Sequence, residues 1–539
     1  MPSITPPSVL NSLNSPRLLP IFGLIIIYVT GALTINIMDI DAAQYASIGR
    51  EMVQNNNFLQ VQHRGVDYYL DKPPLLFWLS ALVFKVLGFT NFAYRLLPIL
   101  SRLLGIYAIY RFSRLYYSDL TSYTSALVMG SCQAYFLMNH DVRTDTLLTN
   151  CVTVAIWQLA AFRLLGGWRY FLGGFIFVGL AMLAKGPIGL IVPAAAFFVD
   201  IVLKRDWKNL FRWEWLLGIL VIGLVLLPYC IGLLRQYGTE GIYFFFWKQS
   251  FGRITGENSW DNNAPLWFQA QNFLWSFLPW VLAFAAGLAA YVRMLIRQKF
   301  RLSETQEAIS FGGFVLPFMA LSTSQYQLPH YTFVVFPLAA VITARFLYEA
   351  VSKAGTPVFH NTKIALIITA VVMGTIVIIL STWAFPMTNI LLIITAIAFL
   401  LYVTYLFRDK RSPYSQLVLA PFWTAVGCNF IMNAHIYPSL LTYQTGSELG
   451  IELANTPGFP LDNFYMFDTK PREDYYLFEH ALDFYTARTT PKITTTAGID
   501  SLKTTSDTLY LYTGTDGLAT LEATGNYTIE KENNSQKYH

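Results

Sequence analysis

Carboxylates gather where apolar segments end. After its first long apolar run the chain reads "MDIDAAQYASIGREM", placing Asp39 and Asp41 where a helix would leave a bilayer. "NHDVRTDTLLT" puts His140, Asp141, Arg143 and Asp145 within six residues at the start of another apolar run. "YYLDKPPLLFW" fixes Asp71 and Lys72 beside two prolines, which hold the preceding residues extended. "MLAKGPIGLIVP" sets Lys185 between two runs, "FFFWKQSFGRITGENSW" sets Lys248 and Arg253 among aromatics, and "SQYQLPHYTFVVFP" opens a run with His330 and Tyr331. There is no Ser/His/Asp spacing, phosphate-binding glycine loop or CxxC pair. Carboxylates with several cations suit group transfer from a lipid phosphate: cations hold the leaving phosphate and a carboxylate activates or orients the acceptor.

Simpler explanations account for some of these residues. Asp41 followed by Gln44 has the form of a capping box, and Asp145 could cap the next helix. Capping and catalysis fit Asp41 equally well by local pattern. Neither cap explains Asp39 or the neighbouring cations, and ionisable groups at bilayer entries are costly and usually functional.

The elements that position these residues are membrane helices. Of the 539 residues 54% are hydrophobic and 13% charged, against about 25% charged in soluble domains. Apolar runs fall near 18–37, 95–112, 119–138, 146–165, 170–184, 187–203, 214–234, 272–292, 308–323, 331–349, 363–384, 388–407 and 415–436. The first is too long for a signal peptide and lacks a small-residue cleavage site. A weaker run at 73–89 contains Lys85 and opens with Pro-Pro. Taking it as a juxtamembrane helix puts Arg111, Arg114, Arg163, Arg169, Lys204, Arg205, Arg293, Arg297, Arg408 and Lys410 in alternate loops on one side, as the positive-inside rule requires. The expectation is about thirteen transmembrane helices over residues 1–439, with outer loops 38–94 and 235–271. All the residues singled out above, with His63 and Arg64, then share the outer face.

From about 440 the composition changes. "NFYMFDT" and "TLYLYTG" read as strands and "REDYYLFEHALDFYT" as an amphipathic helix, so 440–539 is expected to be a small α/β domain outside the membrane. Cys132, Cys151, Cys230 and Cys428 all lie in apolar runs and read as buried hydrophobes. A net charge of +5 gives no basis for nucleic-acid binding.

In order, "DIDAAQYASIGREM", "YYLDKPPLLFWLSAL", "FAYRLLPIL", "DVRTDTLLT", "LAKGPIGLIVP", "PLWFQAQNFLWSFLPW" and "QLPHYTFVVFPLAA" resemble the bacterial aminoarabinose transferases of lipid A. Those belong to the wider protein O-mannosyltransferase-like superfamily with the glycosyltransferase-C fold. The resemblance runs over roughly 35–345. It implies a multi-pass bacterial inner-membrane enzyme that takes a sugar from a polyprenyl-phosphate donor on the periplasmic side. The acceptor would be lipid A, another envelope glycan, or a protein hydroxyl. Asp41 matches the catalytic acid, Asp145 the second acid, and Lys72 the donor-phosphate lysine; Arg64, Lys185, Lys248 and Arg253 fall at further phosphate positions. Asp39, Tyr45, Asp71, His140, Asp141, Arg143, His330 and Tyr331 complete the candidate site. Where relatives carry a glutamate before Lys-Pro-Pro this chain has Asp71, and Asn262 and Asn263 stand where relatives often carry a histidine. That glutamate and histidine are associated with a bound metal in the aminoarabinose enzymes, and the loss of both here speaks against a metal in this chain. A lipid-linked-sugar transporter would instead place ionisable groups deep in broken helices and show internal repeats; neither pattern is present in the sequence.

Overall fold

The computed structural model describes residues 17–64, 67–249, 252, 262, 264–469, 479–504 and 508–530. Among the described residues eight helices are long and apolar enough to cross a membrane, or nine if the bent pair Phe268–Ser276 and Val281–Arg297 forms one span. The other expected runs are also helical, but shorter or broken. They are α1 (Leu18–Thr34), Ile309–Ser322, Ile188–Lys204, and the pair α5 (Asp119–Ser131) and α6 (Gln133–His140), which is interrupted at Cys132. The chain is a multi-pass, mostly helical membrane protein with a small sheet near its C-terminus.

The segment after α1 forms three short elements. These are α2 (Asp41–Gln54), an antiparallel hairpin of β1 (Gln62–His63) and β2 (Asp67–Tyr68), and α3 (Leu75–Leu87). The 13-residue α3 is about 20 Å long, too short to cross a bilayer, and it starts directly after Pro74. It packs between α2 and α4 (Asn91–Ser113), in keeping with a juxtamembrane helix.

Sequence chemistry explains how these elements join. α4 begins at Thr90, whose hydroxyl accepts the Ala93 N–H at 3.1 Å. The buried Arg95 guanidinium donates to the carbonyls of Ile35 and Asn36 at 2.5 and 2.6 Å, closing the end of α1. Tyr94 donates to the Ala42 carbonyl at 2.9 Å. The "FAYRLLPIL" stretch therefore holds the loop that carries Asp41. α7 (Thr144–Leu165) has the most buried span, 83% against 11% for Ile390–Arg408, so the first is central and the second faces lipid. α8 (Trp168–Lys185) ends at Gly186, where φ of +82° suits glycine and lets α9 (Ile188–Lys204) fold back. Lys185 is left at the turn.

The C-terminal part is a three-stranded parallel sheet ordered β4 (Lys492–Ile493), β3 (Phe464–Phe467), β5 (Tyr510–Thr513), with helices following each strand. Phe467, Ile493, Ile499 and Leu521 form its core. β3 and β5 fall on the two expected strands; β4 was not foreseen. The expected helix over "REDYYLFEHALDFYT" is helical only at His480–Tyr485, and 470–478 lie outside the described residues. This unit packs onto α2. Ser47 donates to the His480 carbonyl at 2.9 Å, Arg50 donates to the Asp483 carbonyl, and Gln54 donates to the Ala487 carbonyl at 2.8 Å. On the other side Gly49 lies against Ser80 and Ala81 of α3. An amphipathic pattern predicts one buried face for α2; the C-terminal unit buries the polar face as well.

Candidate active site

A cavity of about 410 Å³ lies where α2, α6, α7 and the segment 326–333 meet. Asp41, Asp141, Arg143, Asp145 and His330 line it, with Trp275, Tyr326, Leu328 and Phe333 as apolar and aromatic walls.

Two charge clusters face this space. In one, Arg143 bridges two carboxylates: it donates to Asp41 and, through Nε at 2.5 Å, to Asp141. Burial alone would lower the Arg143 pKa, but Asp141 and Asp41 outweigh it and raise it. Burial pushes the Asp141 carboxyl up, against the opposing pull of Arg143. In the other cluster Asp145, near the start of α7, accepts from Lys185, and His330 Nε2 lies 3.8 Å from its second oxygen. The Lys185 ammonium sits 4.1 Å from the Tyr331 ring centre. Lys72 is close enough for its charge to act on His330.

Neither acid is a helix cap. Ile40 occupies the cap position of α2 and Arg143 that of α7, and neither end has a side-chain cap bond. Asp41 lies in the first turn but its carboxylate goes to Arg143. The capping-box expectation for Asp41 is corrected on this point. Exposure also separates the two acids. The Asp41 side chain is 37% exposed and Asp145 only 4%, so Asp41 is open to an incoming molecule and Asp145 is committed to Lys185 and His330.

The remaining candidates divide. Tyr45 and Tyr69 both pack edge-on against Phe77, joining α2 to the segment before Lys72. The Asp71 carbonyl accepts from Gln249, which ties the Asp-Lys-Pro-Pro turn to the 235–271 loop. Arg64 is turned away: it donates to Asp483 and to the Thr490 carbonyl, each at 2.6 Å, and so belongs to the interface with the C-terminal unit. Asp39 is there too, two residues from Asp41, with burial and then Glu479 raising its pKa to about 7. His140 is buried against Tyr437 and Gly31, a packing position. Lys248 is exposed on the π-helical turn Phe244–Lys248 and is not among the cavity residues. Arg253 and Asn263 lie outside the described residues, while Asn262 exchanges hydrogen bonds with the Gln327 backbone. Among the described residues no three His, Cys, Asp or Glu side chains converge as a metal set. The cavity carboxylates face guanidinium and ammonium groups instead.

Sequence reasoning did not single out Trp275, Tyr326, Phe333 or Tyr69. All but Tyr326 and Tyr69 sit inside apolar helices or their aromatic flanks, where bilayer anchoring explains an aromatic residue equally well.

The family described as Dolichyl-phosphate-mannose-protein mannosyltransferase matches residues 71–231. The chain is 26% identical over 334 residues to the Undecaprenyl phosphate-alpha-4-amino-4-deoxy-L-arabinose arabinosyl transferase of Edwardsiella ictaluri, covering 61% of this chain and 58% of that protein. It is 27% identical over 329 residues to the protein of the same name from Pseudomonas savastanoi pv. phaseolicola, covering 58% and 57%. The matches thus span less than two thirds of these relatives. In structure it is similar to ArnT from Cupriavidus metallidurans bound to undecaprenyl phosphate, with a TM-score of 0.71 at 16% identity over 94% of this chain and 90% of that one. It is also similar to the oligosaccharyltransferase AglB from Archaeoglobus fulgidus, with a TM-score of 0.52 at 13% identity over 88% and 64%. The chain shares the fold of ArnT from Cupriavidus metallidurans, and residues 71–231 match the family described as Dolichyl-phosphate-mannose-protein mannosyltransferase.

Proposed function

We propose that this chain is a glycosyltransferase of the bacterial inner membrane. It moves a sugar from a polyprenyl-phosphate donor to lipid A or another envelope glycan, with the cavity facing the periplasm. The supporting observation is the division of labour across the cavity. An accessible carboxylate, Asp41, faces a buried carboxylate–ammonium pair, Asp145 and Lys185. The names of the relatives add that those proteins use an undecaprenyl-phosphate sugar.

The chemistry follows from the charges. The acceptor oxygen forms a bond to the anomeric carbon, the bond from that carbon to the phosphate oxygen breaks, and the phosphate leaves with the electron pair. Asp41 takes the acceptor's proton, or orients an acceptor that is already ionised. Lys185, Lys72 and Arg143 are the cations placed to stabilise charge developing on the leaving phosphate. Asp145 and Asp141 hold two of those cations in place. The donor's lipid chain lies in the bilayer.

Asp41→Asn tests this reading. It removes the base and the charge while leaving Arg143 its partner Asp141. With purified protein, a synthetic undecaprenyl-phosphate sugar and lipid A, transfer should fall by about 10²–10⁴-fold at an unchanged melting temperature. An Asp41→Asn protein that transfers at the wild-type rate overturns the assignment. The mass gained by lipid A identifies the sugar.

A further inference from the structure

A second cavity of about 380 Å³ lies at the opposite end of the same helices and is lined by Arg111, Trp157, Gln158, Arg169 and Tyr170. Arg111 is in the last turn of α4, about 30 Å along the axis from Asn91 at the active-site end. Arg169 is in the first turn of α8, whose other end carries Lys185. The site is therefore a helix length away from the reaction centre and shares none of its residues.

The two guanidiniums differ from their neighbours. At the same end Arg114 pairs with Asp119, Arg163 with Asp200, and Arg212 with Glu214. Among the described residues Arg111 and Arg169 have no carboxylate partner. Arg111 is held by aromatic groups instead: its guanidinium lies 5.0 Å from the Trp157 ring centre and donates to the Tyr107 hydroxyl. That contact orients the guanidinium without neutralising it. Two cations, one amide and one phenol around a small cavity are a donor set suited to an anion.

The surface beside it is apolar. Leu100, Leu104, Tyr107 and Arg111 are spaced by four, three and four residues, so they form one stripe on α4. The first three are exposed hydrophobics, as are Leu164, Leu165 and Trp168 on the other flank. An apolar track thus runs along the helix and ends at the guanidinium, which is the profile of an acyl chain joined to a phosphate.

We propose that this cavity binds the phosphate headgroup of an anionic glycerophospholipid, with its acyl chains along the Leu100–Leu104–Tyr107 stripe. By the basic-loop pattern this is the cytoplasmic leaflet, where anionic headgroups meet basic pockets between helices.

Native mass spectrometry on the purified full-length protein with equimolar phosphatidylglycerol and phosphatidylcholine tests the site. The wild type should retain phosphatidylglycerol by about tenfold over phosphatidylcholine. R111Q/R169Q should lose that preference, and R297Q, an exposed arginine elsewhere, should keep it. If the double variant fails to fold, R169Q alone, altered at an exposed position, should lose part of the preference. Equal retention of the two lipids by the wild type, or an undiminished preference in R111Q/R169Q or R169Q, overturns the proposal. So does displacement of phosphatidylglycerol by millimolar inorganic phosphate, which would make this a free-anion site.

Discussion

Asp145 and Lys185 are each other's counterion in a nearly closed environment, and that fixes what their substitution will do. Removing one charge leaves the other buried, which costs about 3–5 kcal/mol when a buried pair is broken. Asp145→Asn should therefore lower the melting temperature, and Asp145→Asn with Lys185→Gln should recover much of the loss while transfer stays low. Additive thermal effects of the two substitutions would refute their coupling. Lys72 differs because it is partly exposed and follows a rigid turn. Lys72→Ala should weaken donor use by about tenfold to a hundredfold, the worth of one charge-assisted hydrogen bond, with Lys72→Arg retaining part. Initial rates at donor concentrations well below saturation check this; a wild-type rate in Lys72→Ala removes Lys72 from the donor site.

At the scale of elements, α2 is the hinge between chemistry and the C-terminal unit. Its first residue is Asp41, and its middle carries Ser47 and Arg50 into that unit. Asp39 lies in the same joint, where burial and the nearby Glu479 move its pKa from 3.8 to about 7. Burial likewise raises the Glu479 pKa. A carboxyl with a raised folded pKa binds more protons folded than unfolded between the two values, so stability falls as pH rises through that window. Between pH 4 and 7 the wild type should thus lose on the order of a few kcal/mol from this group. Asp39→Asn should be more stable at pH 7.5 and show a flatter pH dependence of melting. A wild-type slope in Asp39→Asn would show that Asp39 does not carry the effect.

For the whole molecule, the cavity and the basic loops lie at opposite helix ends, so orientation in the membrane decides which compartment supplies the acceptor. A cysteine placed at 72 should label from the periplasm in intact cells, and cysteines at 297 and 410 only after permeabilisation. Labelling of 297 from outside with 72 protected reverses the topology and moves the proposed chemistry to the cytoplasm.

Membrane character and the helical class were legible in the sequence, because each depends on local composition. A run of about twenty apolar residues declares a span, and loop arginines declare a side. That acids and cations stand near the ends of apolar runs was legible too. Their partners were not. Asp41 meets Arg143 across 102 residues, Lys185 meets Asp145 across 40, and Arg64 leaves the group to pair with Asp483 across 419. Such pairings depend on where helix ends converge, and a carboxylate that caps a helix reads locally like one that grips a distant arginine. The sequence alone therefore determined what kinds of groups stand at the bilayer edge. Only the tertiary structure decided which of them share a cavity, because burial and long-range charge pairing are properties of packed helices and not of any single segment.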